Sequence, residues 1–360
     1  MRLEHKPDFD KVLARFEAWW HCELLDRPLL TLGVRPPKPF PEPLLPPYPT
    51  LRDRWLDFDA ILDRFEAALP HRVFFADTYP CYMPNLGPEL CSTLFGAELE
   101  FGSNTSWSVP IGRTCAEIAR MTPNFDNPYW TAMRRATDLS LARGKGKWIT
   151  ALTDLHTNGD LPASLRDPQQ FALDLADDIE SATAAVEHVT DFFPQIYDDL
   201  WRRLHAAGQP VTTWAPALHA GRCYVTSCDF ICMISPAMFQ RAILPSIVRE
   251  MRFLERNFFH LDGPNALRHL DALLALPELN GLQWTYGAGN GPAHQWMDVY
   301  RKAQDAGKCL EILCANLADA EAFIGALRPE GVWLAVGGAC SLDEAQAFLR
   351  KLERWTRRTK

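Results

Sequence analysis

Apolar positions fall into two spacings along the chain. Short runs occur at Leu29 to Val34, Val73 to Thr78, Trp148 to Leu152, Val211 to Trp214, Asn257 to Asp262, Gly281 to Tyr286, Cys309 to Cys314 and Val332 to Val336. Between them, apolar residues recur at three- and four-residue steps. The runs have the length of strands and the recurrent steps are those of helix faces. Strands that alternate with helical crossovers argue for a parallel sheet, and a count of eight favours closure into an α/β barrel of the (β/α)8, or TIM barrel, class.

Element ends sharpen this pattern. Phe9, Val12, Leu13, Phe16, Trp19 and Trp20 predict an amphipathic helix over residues 8–21. A long stripe from Ile179 to Leu204 should be kinked or divided at Pro194. Ser235-Pro236 reads as an N-cap followed by a first-turn proline, and Ser341-Leu342-Asp343-Glu344 has the spacing of a capping box. Seven prolines between Arg35 and Pro47 exclude regular helix and central strand, leaving an extended arm over the surface. The expected organisation is one domain over residues 1–360, with a helical and proline-rich extension over 1–60 and the barrel over 61–360.

Composition narrows the partners. With 47% apolar residues the chain can bury a large core, and a net charge of −8 gives no basic surface for nucleic-acid phosphates. No apolar stretch approaches the roughly 20 residues that cross a bilayer, so no membrane partner is expected. The charged first ten residues lack the apolar centre of a secretory signal, and the ten scattered cysteines do not form the dense framework of small secreted domains. A reducing cytoplasm is the expected location.

Candidate chemistry gathers at the ends of the apolar runs. His260 and Asp262 flank Leu261 and therefore share one face of a strand that closes on Gly263-Pro264. The run from Val332 leads through Gly337-Gly338-Ala339 to Cys340, whose thiolate could join His260 and Asp262 on one ion if the two strands share a closed sheet. Such a site, with zinc first, would keep an open position for substrate or water. The plainer assignment has His260 packed in the mouth, Asp262 capping the next helix and Cys340 as a small buried hydrophobe. A fourth ligand, if the protein supplies one, would be Cys232 or His219.

Other residues point to substrate. Asp77 follows Val73-Phe74-Phe75-Ala76 and should lie at the exit of the second strand, as a substrate anchor or general base. Asp154, His156 and Asn158 crowd the loop after the third strand, where they could bind a polar ligand or simply cap and turn the chain. Asp229 should face the pocket from the short loop before Ser235, and Trp284 would wall the mouth if it does not pack within the barrel. Cys223, Cys228 and Cys232 are spaced poorly for structural zinc.

The segments Phe74-Phe75-Ala76-Asp77-Thr78, Asp229-Phe230, Met233-Ile234-Ser235-Pro236-Ala237-Met238-Phe239, His260-Leu261-Asp262-Gly263 and Gly338-Ala339-Cys340, in that order, resemble the uroporphyrinogen decarboxylase superfamily. That superfamily includes zinc-dependent methyltransferases working between corrinoid proteins and thiols. The resemblance places His260 and Cys340 at zinc-ligand positions, with Asp262 where that branch has a cysteine, and Asp77 where the decarboxylases orient substrate. It implies a metal-dependent methyltransferase activating a thiol or similar nucleophile on a small-molecule substrate. The corrinoid would arrive free or on a partner protein, since no D-x-H-x-x-G segment is evident. The alternatives are a metal-free decarboxylase using Asp77 and His156 for proton transfer, and a non-catalytic ligand-binding homologue.

Overall fold

The computed structural model describes residues 1–41 and 43–358, so Glu42 of the proline-rich arm and the last two residues lie outside the described residues. Its centre is a six-stranded parallel sheet built from β1 (Leu29–Val34), β6 (Cys223–Ser227), β7 (Arg256–Asp262), β8 (Gly281–Thr285), β9 (Cys309–Cys314) and β10 (Val332–Cys340). The order is β1-β10-β9-β8-β7-β6. A parallel pair, β2 (Cys81–Tyr82) and β5 (Ile149–Thr150), and an antiparallel pair, β3 (Glu98–Phe101) and β4 (Ser106–Val109), complete a mixed α/β architecture. Central β9 is almost wholly buried on both faces, and so is β6 at the end of this order, as parallel strands covered by helices must be.

Five of the predicted strands form nearly as read, including β1 and β9 to the residue. Two do not. Residues 73–78 make only a single bridge, Val34 to Val73, and the strand that follows begins at Cys81; residues 211–214 make only a bridge from Val211 to His219. The place expected for 211–214 beside β7 belongs to Cys223–Ser227, where Ser227 stands opposite His260. Its Cys-Tyr-Val-Thr-Ser run carries β-branched and aromatic residues, but the flanking cysteines drew attention to metal spacing instead.

Helix ends follow the local chemistry. The N-terminal helix spans Phe9–Trp20 and buries Phe9, Val12, Phe16, Trp19 and Trp20. Its tryptophans tie it to the sheet: Trp19 Nε1 donates to Leu310 O at 3.0 Å, and the Phe16 ring lies edge-on to Trp333 at 5.1 Å. Pro194 divides the long stripe into Ile179–Thr190 and Phe193–Ala206. Ser235 caps its helix by accepting from Met238 N at 3.3 Å, and the Ser341–Glu344 capping box starts the last helix, Leu342–Arg358. Among the described residues, no helix is long and apolar enough to cross a membrane.

Asp77 departs from its expected place. Its side chain is fully buried and accepts from Arg27 at 2.5 and 3.1 Å, Arg15 at 3.0 Å and Leu30 N at 2.9 Å. Leu30 is the second residue of β1, so Asp77 sits at the entry end of that strand and not at the exit. Residues 74–78 carry no strand: Lys6 Nζ, about 70 positions earlier, holds the carbonyls of Phe74 and Ala76, and Ala76 stands at φ +50°. The Asp77 carboxylate is thus the centre of a buried ion-pair cluster with Arg15 and Arg27.

Candidate metal and substrate site

Strand register builds the site. Ser227 pairs with His260, His260 with Gln283, and Gln283 with Glu311, so β6 to β9 bring one polar side chain each to the same level. His260 and Asp262 project from the last residues of β7 on the shared face that period-two alternation requires. Asp229 comes from the turn just after β6. One donor atom from each of Asp229, His260 and Asp262 lies within 4.8 Å of the others.

The geometry leaves a nitrogen available. His260 Nδ1 is hydrogen-bonded to Gln283 Oε1, with Thr285 Oγ1 at 3.4 Å as a weaker neighbour. Nε2 faces Asp229 Oδ1 at 3.9 Å, too long for a hydrogen bond. Two donors about 2.1 Å from a shared tetrahedral ion stand roughly 3.4 Å apart, so the pair would have to close by about half an ångström to grip one. Burial, opposed by His260 and reinforced by Asp229, pushes the Asp262 carboxyl above its ordinary range.

Cys340 is not part of this cluster. Its Sγ donates to Gly33 O at 3.6 Å, and it lines a cavity of about 390 Å³ with Arg35, Asn316, Leu317 and Glu344. The cause is the register break between Leu32 and Gly33, which pairs Cys340 with Val34 on β1. In strand order β10 lies three positions from β7, roughly 14 Å along the sheet at ordinary strand spacing. Asp229 takes the third place that the sequence assigned to Cys340. His219 also drops out, since it faces Glu17 at 3.2 Å and Glu255 at 3.7 Å. Cys232 stays nearby: its thiol is pushed up by burial and then by the charges of Asp229 and Asp262.

The loop after β5 forms the adjoining wall. His156 lies between Asp154, at 3.3 Å from Nε2, and Asp160, at 3.5 Å from Nδ1. Burial works against the imidazolium, but these two carboxylates outweigh it and hold the His156 pKa well above the usual histidine value. Asp154, despite its own burial, is drawn below the carboxylate range by His156 and by the Tyr224 hydroxyl, which donates to it at 3.0 Å. Burial lifts Asp160 to about 6 against the pull of His156. Its carboxylate accepts from Asp229 N at 3.1 Å and Phe230 N at 2.9 Å, and so fixes the turn that delivers the Asp229 side chain.

Two substrate candidates have structural duties. Asn158, at φ +44° and 1% exposed, donates to Ser227 O at 3.0 Å and to Glu250 at 2.9 Å, which locks the β5 loop to β6. Trp284 is fully buried, edge-on to Trp296 at 5.2 Å. Gln283 and Thr285 face His260, so Trp284 between them points to the opposite face. Trp214 takes the position beside the histidine, with ring centroids 5.0 Å apart at 87°.

Asp160, Glu250, Gln283 and Glu311 were not singled out from sequence. A signal for two of them exists: Gln283 and Glu311 are polar residues inside otherwise apolar strands, and both are buried. Burial, only partly offset by the bond from Gln283, pushes Glu311 up to about 8. A folded-state pKa above the unfolded value of 4.5 means that the associated stability is complete below pH 4.5 and is lost as pH rises through 8. Glu311→Gln, which mimics the neutral acid, should therefore match wild type in urea unfolding at about pH 4. It should exceed wild type by on the order of 4 kcal/mol above pH 8. Equal pH slopes for the two proteins would show that Glu311 ionises normally.

No protein-family model matches the chain, and no curated protein sequence does. Among solved structures, a methyltransferase from Methanosarcina mazei superposes with a TM-score of 0.58 at 11% identity, covering 96% of this chain and 99% of that one. Identity this low speaks for a shared fold across nearly the whole length of both chains.

Proposed function

We propose that the chain is a metal-dependent methyltransferase with a small-molecule substrate, built on a closed (β/α)8 barrel of the uroporphyrinogen decarboxylase type. Leaving aside the β3–β4 hairpin, the described residues hold eight strands, and closure is supported by two backbone bonds of 2.9 Å from residues outside them, Asp77 N to Leu30 O beside β1 and Leu152 N to Thr212 O just after β5. The observation that carries the functional reading is the convergence of Asp229, His260 and Asp262 at strand exits, where barrels of this class place their chemistry. The Methanosarcina mazei methyltransferase shares the fold and supports the choice of reaction class.

Two carboxylates and one imidazole form a harder donor set than a cysteine-rich site, suited to zinc and also to manganese or iron. An ion held there would supply a Lewis acid that keeps an acceptor thiol, hydroxyl or water deprotonated near neutral pH. The chain's own residues do the rest. His156, held as a cation by Asp154 and Asp160, presents a fixed positive charge beside the acidic ligands. Trp214 Nε1 is buried without a hydrogen-bond partner, which leaves a donor for a substrate acceptor next to His260. The methyl donor in this reading is a corrinoid, free or carried by a partner protein. The metal-free decarboxylase alternative loses its support at Asp77, whose oxygens are already occupied by two arginines.

Protein purified without chelator should carry about one equivalent of zinc, manganese or iron per chain. Incubated with free methylcobalamin and 2-mercaptoethanol, it should bleach the methylcobalamin spectrum and yield the methyl thioether. Chelation should stop the reaction. A chain that retains no divalent metal and transfers no methyl group from this donor sinks the proposal.

A further inference from the structure

The acidic cluster explains which atoms could hold an ion, but not why His260 should offer the correct nitrogen. Neutral imidazole has one donor and one acceptor nitrogen, and a ligand must present the acceptor. Here Nδ1 meets the side-chain oxygen of Gln283, whose amide nitrogen donates to Glu311 Oε2 at 2.5 Å. The three side chains sit on β7, β8 and β9 at matched register, and Gln283 and Glu311 are each 2% exposed. Water has little access to compete, and the chain of bonds has a direction: the amide can turn its oxygen to His260 only while its nitrogen is taken by Glu311.

We infer that Gln283 and Glu311 are positioning residues that hold His260 in its Nδ1–H tautomer and so reserve Nε2 for the ion; this inference rests on the proposed metal reading for its purpose but not for its geometry. Metal-bound histidines elsewhere often lean on a carboxylate, which raises the basicity of the ring. Here a neutral amide stands in that place and the carboxyl is set one step back. The ring is then a weaker donor, the bound ion keeps more of its acidity, and an acceptor nucleophile ionises more readily.

The test separates the relay from the metal. In metal-free wild type, at a pH where the ring is neutral, ¹⁵N NMR should show His260 as the Nδ1–H tautomer. Gln283→Leu should convert it to a mixture or to Nε2–H, and should weaken zinc binding by about 10–100-fold. Gln283→Glu, which restores an acceptor to Nδ1 and shares a proton with Glu311, should recover the tautomer and bind zinc at least as tightly as wild type. Near-UV circular dichroism checks that each variant is folded, and the glutamate variant keeps the test open if the leucine one is not.

Two outcomes overturn the inference. One is an Nε2–H signal in wild type, which would mean the amide is turned round and Nε2 is blocked. The other is a tautomer and a zinc affinity, within twofold, that ignore residue 283. If the tautomer follows residue 283 but wild type binds no divalent metal, the relay stands and the metal reading falls alone.

Discussion

Replacing Asp77 with Ala should lower unfolding stability by ~3–5 kcal/mol and the melting temperature by on the order of 10 °C. The carboxylate accepts four hydrogen bonds in a fully buried position, two from Arg27, one from Arg15 and one from the backbone of Leu30. Removing it strands the Arg27 guanidinium, itself 5% exposed, without its counter-charge. Leaving one buried partner uncompensated costs far more than a surface ion pair is worth. Arg15 suffers less, because it also holds Asp26 at 2.7 Å. Asp77→Asn should fall between, since it keeps an acceptor for Leu30 N and loses the charge. Thermal and urea unfolding check the stability, and zinc titration of the folded variants should match wild type. A variant that melts like wild type but loses substrate turnover would return Asp77 to the active site.

This residue also shows where the sequence stops informing. The run Val73 to Thr78 has strand composition, but Lys6 and the two arginines that capture it lie some 50 to 70 positions earlier in the chain, and no local pattern announces such contacts. The strands that formed at or close to the expected places, β1 and β7 to β10, are mostly buried over the residues expected as strand, while Gly33 and the added turn of β10 at Gly337 to Ala339 are exposed. Helix starts were legible for the same local reason, because a cap needs only the next three residues. His260 and Asp262 were legible because two alternate residues on one strand share a face by geometry alone. Cys340 was not, since its distance from His260 depends on the bulge at Gly33 and on the two strands, β9 and β8, that stand between β10 and β7. Asp229 was placed near the pocket, but its role as third donor depends on Asp160, 69 residues earlier, gripping its turn.

Substitution of His260 by Ala should weaken zinc binding by 100-fold or more, and in the proposed reaction should abolish most turnover. The imidazole is the only nitrogen in the cluster and it is the least exposed of the two side chains whose accessibility frames the gap, 14% against 49% for Asp229. Each carboxylate should matter in proportion to its hold on geometry. Asp262→Asn leaves the strand intact and should cost less than His260→Ala. Asp229→Asn should do likewise, because the turn is fixed by backbone donors to Asp160 and not by the Asp229 side chain. The double variant, with a single imidazole left, should bind no better than His260→Ala. Cys340→Ser supplies the control: with its thiol against Gly33 O on the β1 side, zinc affinity should stay within twofold of wild type. Competition titration against a chromogenic chelator measures the five variants and the wild type on one scale. Should Cys340→Ser release the metal while Asp229→Asn keeps it, the donor set would have to be redrawn around the sulfur, and the register break at Gly33 would have to close when the ion binds.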